Sequence, residues 1–165
     1  MRLGKCERPG DAATGAYVEP VARDGGWSGS YRSEFSPALA PWVRSLADSL
    51  QRGVLLLVDY GYGRAEYYHP QRSMGTLMCH YRHRAHDDPL WYPGLPDVTA
   101  FVDFTAIAAA ATQAAMRLQG FTSQAQFLLG CRIDELLADV HPQDTRRLPR
   151  LSTAFNLMPP PCHLA

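Results

Sequence analysis

His80, His83 and His86, spaced by threes, are the first residues in this sequence that could do chemistry; Cys79 adjoins them and Asp87-Asp88 follows. Imidazoles with a thiolate and optional carboxylates form a plausible ligand set for zinc. The spacing argues against it, because i, i+3, i+6 drifts around a helix and alternates faces on a strand. Arg82 and Arg84, interleaved with the histidines, also disfavour a divalent cation. The other readings are histidines that line a polar cleft, that serve the structure, or that accept a proton beside a carboxylate. Asp59 is a second candidate, closing the apolar run Val54-Leu55-Leu56-Leu57-Val58. In open α/β sheets ligands lie beyond the carboxyl ends of the strands. Asp59 is then either a carboxylate aimed into a cleft or a turn aspartate holding its own backbone. A third group interleaves Tyr60, Tyr62, Tyr67, Tyr68, Tyr81, Trp91 and Tyr92 with Arg64, Arg72, Arg82 and Arg84. Such residues can stack single-stranded bases, but more often they wall a small-molecule or peptide groove or the margin of a core. Gly61-Tyr62-Gly63 is not a phosphate loop: no G-x-x-x-x-G-K-[ST], no G-x-G-x-x-G opening a helix and no G-x-S-x-G elbow occurs.

The elements that must position these residues lie in the middle of the chain. Phe35, Leu39, Trp42, Val43, Leu46 and Leu50 recur at helical spacing. Ser36-Pro37 suits the N-cap and first turn, and Gly53 the position after the end, while Pro41 cannot donate to a preceding carbonyl. The run 54–58, apolar on both faces, predicts an interior strand of a parallel sheet, with a polar turn at 59–63. Helix, buried strand and polar turn make an α/β unit. Asp97 to Val102 alternates weakly and predicts a short strand. Asp103 suits the N-cap of an alanine-rich helix running to about Gln119 and closed by Gly120, with Ile107, Ala110, Ala111, Ala114 and Leu118 as its buried stripe. Thr122 would cap a further helical pair, anchored by Phe127, Leu128, Leu136 and Leu137 and broken near Gly130.

Composition bounds the rest. A chain of 165 residues, 46% hydrophobic and 19% charged, is long enough for one domain with a sizeable core. Sixteen basic and sixteen acidic residues give zero net charge, and so no bulk attraction for nucleic acid or anionic membrane. Three zones differ in texture: a poorly patterned segment at 1–30, the patterned region at 31–140, and a Pro/Arg-rich, irregular tail at 141–165. Four scattered cysteines, Cys6, Cys79, Cys131 and Cys162, form no C-x-x-C pair and suit a reducing compartment. The first residues carry no apolar leader, and 54–58 is far too short to span a membrane. The expectation is a soluble, cytoplasmic protein.

Several strings resemble one family. Tyr31-Arg32-Ser33-Glu34, the run from Val54 to Tyr62, and Gly75-Thr76-Leu77 are similar to the MidA-type S-adenosylmethionine-dependent methyltransferases. His80 to His86, Pro93-Gly94, the string from Asp97 to Phe104, and Gln124 with Phe127-Leu128-Leu129 continue the likeness over about 30–140. The resemblance implies a Rossmann-like class I methyltransferase fold with added helices. It also implies methyl transfer to a nitrogen nucleophile of a protein. The mitochondrial relative is a protein arginine methyltransferase that assists assembly of respiratory complex I, so a complex I subunit or its bacterial counterpart is the implied substrate. Carboxylates suit a guanidinium because their two acceptors match its fork of donors. Glu34 and Asp59 lead the substrate-side candidates, followed by Tyr60, His83, His86 and Asp97; Asp103 has a competing role as a helix cap.

The departures from the family are equally specific. Its glycine-rich strand-to-helix turn that cradles the cofactor, the acidic residue after the next strand and an N-E-x-x-D segment do not occur here. Arg132 replaces an expected glycine, and Met158-Pro159-Pro160-Pro161 stands where a further strand is usual. The chain therefore reads as a carboxyl-terminal portion of such a methyltransferase, carrying an incomplete sheet and binding no S-adenosylmethionine alone. Uncovered apolar faces would favour a homo-oligomer. The rival readings are a non-catalytic adaptor derived from the family and, at a greater distance, a histidine-centred metal hydrolase.

Overall fold

The computed structural model describes residues 5–27, 29–133 and 135. They fall into two units, divided between Leu118 and Gln119. The first unit opens with helix α1 (Ala12–Gly25), where the sequence shows little periodicity. Asp11 starts it by accepting from Thr14 N at 2.8 Å and from Thr14 Oγ1 at 2.7 Å, bonds that hold its carboxyl below the usual range. Gly26, in left-handed conformation at φ 59°, closes it. The apolar stripe of α1 is too short to read as a pattern: Val21 is its one buried residue, and Pro20 lies beside it.

Val21 packs with the buried rings of Tyr67 and Tyr68, and Tyr17, Trp27, Tyr31 and Tyr62 surround them. Trp27 stacks on Tyr31 with centroids 3.8 Å apart, and Tyr17 on Phe35 at 4.7 Å. Each buried polar tip has a partner. Tyr67 Oη donates to the Glu34 carbonyl (3.2 Å), Trp27 Nε1 to the Tyr68 carbonyl (3.0 Å) and Tyr31 Oη to the His69 carbonyl (3.1 Å). The Tyr17 and Tyr68 hydroxyls meet at 3.2 Å. Tyr67 comes from the short helix α3 (Arg64–Tyr67), and a single 3₁₀ turn (Pro70–Arg72) follows.

Helix α2 (Leu39–Ser49) begins later than Ser36-Pro37, which instead form the preceding turn, with Ser36 O accepting from Leu39 N at 3.1 Å. Pro41 sits in the first turn, where its missing N–H is not needed. Leu50 rather than Gly53 ends the helix. Helix α2 packs against α4 (Phe104–Gln113); Val43 is the buried residue of α2, and the small side chains Ala106 and Ala110 are those of α4. Asp103 caps α4 as expected, accepting from Ala106 N at 3.1 Å. The helix ends before Gln119, because Ala115 turns left-handed at φ 59°. Of its expected stripe, Ala110 is buried and Leu118 is 59% exposed.

The strand expected at 54–58 is absent. Instead β1 (Gly61–Tyr62) pairs in parallel with β5 (Val102–Asp103), in the register Gly61 to Val102 and Tyr62 to Asp103. Among the described residues nothing pairs with 54–58, and Val54, Leu56 and Val58 stay 78%, 62% and 66% exposed. A strand needs neighbours for its N–H and C=O groups, and β5 reaches only 61–62. Asp59 therefore precedes the paired strand instead of following it.

A separate antiparallel sheet has the order β3-β2-β4, with β2 at Met78–Tyr81, β3 at Arg84–His86 and β4 at Asp97–Thr99. The predicted short strand thus divides into β4 and β5, with Phe101 between them. In the second unit α5 (Gln124–Gly130) is capped by Ser123 rather than Thr122; Ser123 Oγ accepts from Gln126 N at 3.3 Å. Arg132 holds φ 60°, the conformation an expected glycine would take without strain. Leu136, Leu137 and the tail expected at 141–165 lie outside the described residues.

Two expected outcomes follow from this packing. A Cβ on Gly61 would stand 2.2 Å from the Val102 carbonyl oxygen and 2.8 Å from the Phe104 ring. Gly61→Ala should therefore lower stability by about 2 kcal/mol or more in urea melts. Gly63→Ala, meeting only Thr105 Oγ1 at 3.8 Å, should change it by less than about 0.5 kcal/mol. Burial raises the Tyr67 and Tyr68 hydroxyls above their ordinary pKa of 10.0. The folded state then holds these protons more tightly than the unfolded one, so the stability they carry is complete below about pH 10 and falls at higher pH. Melts taken across this range should show the loss, and Tyr68→Phe should reduce it.

Candidate functional site

Glu34, in the segment before α2, reaches the loop that enters β2. Its Oε2 accepts from Thr76 N (2.8 Å) and Thr76 Oγ1 (3.1 Å), and Thr76 Oγ1 in turn accepts from Phe101 N (3.0 Å). Gly75, left-handed at φ 81°, leaves the space that the Glu34 carboxylate fills. Tyr62 lies beside this junction, 5.3 Å from the Phe101 ring, and the Arg72 guanidinium lies 4.2 Å above it. Glu34 thus ties three segments together, and one of its oxygens is committed to Thr76.

Asp59 sits on the rim of a cleft of about 130 Å³, lined by Leu39 and Trp42 of α2, by Leu57 and Val58, and by Val102, Phe104 and Ile107. Its Oδ1 accepts from Tyr60 N at 2.7 Å, the local bond of a turn aspartate. Tyr60 leaves its ring 75% exposed, while its carbonyl accepts from Val102 N at 2.9 Å.

The histidines divide between the two faces and the tip of the β2–β3 hairpin. Cys79, fully buried, pairs with His86, whereas His80 pairs with Ala85 on one side and Asp97 on the other. His83 is in the turn at φ 64°. Among the described residues no group of three His, Cys, Asp or Glu could hold a metal ion. His80 and Asp97 face each other across β2 and β4, both exposed, without a hydrogen bond between them. Both ring nitrogens of His86 are buried and unpartnered, and the Trp91 ring lies against it at 4.7 Å. Glu34, Asp59, Tyr60, His83, His86 and Asp97 therefore fall in three places, and the hydrogen bond between two of them runs from the Tyr60 backbone N–H to Asp59.

One pair escaped the sequence. Arg64 Nε lies 3.6 Å from Asp103 Oδ2, with only 6% of the Asp103 side chain exposed, at the carboxyl ends of β1 and β5. Asp103 was legible as a helix cap, but nothing near Arg64 in the sequence marks its partner. The glycines here do not form a cofactor cradle. The space beside Gly61 is filled by Val102 and Phe104, α3 has four residues, and the N–H of Arg64 is taken by Thr105 Oγ1 at 2.9 Å. Around Gly61–Arg64, then, the described residues form no cradle for the adenosyl cofactor that the resemblance implies.

Comparison with known proteins gives the wider frame. A family described as "putative S-adenosyl-L-methionine-dependent methyltransferase" matches residues 5–122. The chain belongs to this family. The match begins well before residue 30 and takes in α1. One similar crystal structure, from Burkholderia thailandensis, is a "likely methyl transferase" bound to S-adenosyl-homocysteine; it is 42% identical with a TM-score of 0.80, over 90% of this chain and 38% of that one. A second, an uncharacterized protein from the same organism, is 45% identical with a TM-score of 0.74, over 84% of this chain and 38% of that one. This chain spans 38% of the length of both neighbours. No curated protein matches it. With these neighbours the mixed α/β arrangement is a partial Rossmann-like fold, the class expected from the sequence. Among the described residues no helix is long and apolar enough to cross a membrane.

The Arg64–Asp103 pair makes a direct prediction. Asp103→Ala should cost about 2 kcal/mol in denaturant melts, from the lost cap and the uncompensated guanidinium. Asp103→Asn keeps a capping oxygen and should cost about half as much.

Proposed function

We propose that this chain is the substrate-side portion of a MidA-type methyltransferase whose acceptor is an arginine nitrogen of a protein. A respiratory complex I subunit or its bacterial counterpart is the proposed acceptor protein. What supports the reading is the family match over 5–122 together with the likeness to a neighbour that holds S-adenosyl-homocysteine. Asp59 and Asp97, both exposed, are the carboxylates suited to meet a guanidinium. Tyr60 offers an exposed ring close to Asp59. Glu34 is engaged with Thr76 and serves as a positioning residue. His83 is exposed at the hairpin tip, and His86 supports Trp91 from behind. The setting is cytoplasmic, and the uncovered 54–58 face favours self-association.

A non-catalytic adaptor is the second reading, favoured by the filled space at Gly61 and the occupied first N–H of α3. Both readings have the 165-residue chain alone binding no cofactor and transferring no methyl group. Titration calorimetry of the purified chain with S-adenosylmethionine and with S-adenosyl-homocysteine should give no binding heat. Micromolar affinity for either would overturn this assignment.

A further inference from the structure

The β2–β3 hairpin and the Trp91-Tyr92 turn flank a half-open surface cavity of about 400 Å³, lined by Tyr81, Arg82, Arg84, Trp91 and Tyr92. Its walls are three aromatic rings and two arginines, and no carboxylate lines it. Tyr81 and Arg84 are cross-strand partners, on the same face of the hairpin as Cys79 and His86. The rings hold one another in place: Tyr81 to Tyr92 at 5.5 Å, Tyr81 to Trp91 at 6.4 Å and Trp91 to Tyr92 at 5.1 Å between centroids. The Arg82 guanidinium lies 5.4 Å from the centre of the Tyr81 ring. Trp91 and Tyr92 nevertheless remain 42% and 51% exposed. Among the described residues neither Arg82 nor Arg84 has a carboxylate partner.

The backbone is an independent sign. Arg82 and Tyr92 hold φ of 49° and 53°, so two of the five non-glycine residues with positive φ line this cavity, and His83, at 64°, follows Arg82 in the turn. Two-residue hairpin turns of this kind ordinarily take Asn-Gly. An arginine and a histidine there cost about 1 kcal/mol each, and strain of this sort gathers at ligand clamps. Hairpin pairing on both sides keeps the turn in place and fixes where Arg82 and Arg84 start. Trp, Tyr and Arg are also the residues that dominate binding energy at protein interfaces.

We propose that this cavity docks an acidic segment of a protein partner, its carboxylates meeting Arg82 and Arg84 and its apolar side chains lying on Trp91 and Tyr92. A cationic ligand is opposed by the two guanidiniums. A nucleic-acid strand would need a longer basic track, whereas Asp87 and Asp88 follow directly and the chain carries no net charge. The positive patch is two side chains wide, the footprint of one or two carboxylates. The site goes beyond the methyl-transfer reading and does not depend on it; on that reading, the docked segment would flank the acceptor arginine.

The test is fluorescence anisotropy of the full chain with three labelled probes: a peptide alternating glutamate and leucine, its lysine counterpart, and oligothymidylate of equal charge. The glutamate peptide should bind, weaken as salt rises, and exceed both other probes by about tenfold or more. Arg82→Gln with Arg84→Gln changes exposed side chains and should weaken binding about tenfold with the far-UV spectrum unchanged. Trp91→Ala should weaken it independently of salt. Failure of the glutamate peptide to bind, binding indifferent to the arginine substitutions, or tighter binding of oligothymidylate would each overturn the proposal. None of these outcomes depends on methyl transfer, so each can be told apart from failure of the enzymatic reading.

Discussion

A buried charge has to be met by a partner, and the carboxylate of Asp103 shows how much structure can hang on that requirement. The residue ends β5, faces Tyr62 across the parallel pair, caps α4 through Oδ1 and faces the Arg64 guanidinium at the start of α3 through Oδ2. Four elements therefore meet at one residue, two of them through its side chain. An isolated carboxylate this deep would be strongly penalised, so the cap and the guanidinium have to form together. The close backbone approach at Gly61 is part of the same constraint, because a side chain there would push β1 away from Val102.

The second organising principle is the amphipathic aromatic ring. Tyr17, Trp27, Tyr31, Tyr67 and Tyr68 fill the core beside α1, and each of them also places a hydroxyl or an indole N–H. A Leu- and Val-based core would need no such bonds. Here the bonds reach the carbonyls of Glu34, Tyr68 and His69, so the packing of rings also sets the path of the backbone that carries Glu34 toward Thr76.

What was legible in the sequence followed from local rules. The helix around Val43, the cap at Asp103 and the alanine-rich helix after it depend on spacing and on one side chain reaching three residues along, and these were read correctly. Helix α1 was missed because its buried surface is one valine and its neighbours are tyrosines, which carry little periodic signal. The strand at 54–58 was misplaced because an apolar run states a wish for cover, while pairing depends on partners distant in sequence. The same separation hid Arg64 from Asp103 and Glu34 from Thr76. The substrate-side candidates rest on residue type within the strings that carry the resemblance, and neither residue type nor string tells that they occupy three different places.

The alternating apolar face of Val54, Leu56 and Val58 has a further meaning during the life of the chain. Short hydrophobic stretches left open to water are what chaperones grasp and what drives transient encounters between unfinished chains. Val54, Leu56 and Val58 are mostly exposed, and where such a stretch waits to be covered, the survival of a chain depends on the rate of covering as well as on its equilibrium stability. Abundance would then rise with the supply of whatever covers it, making this short run of residues the place where assembly and degradation compete.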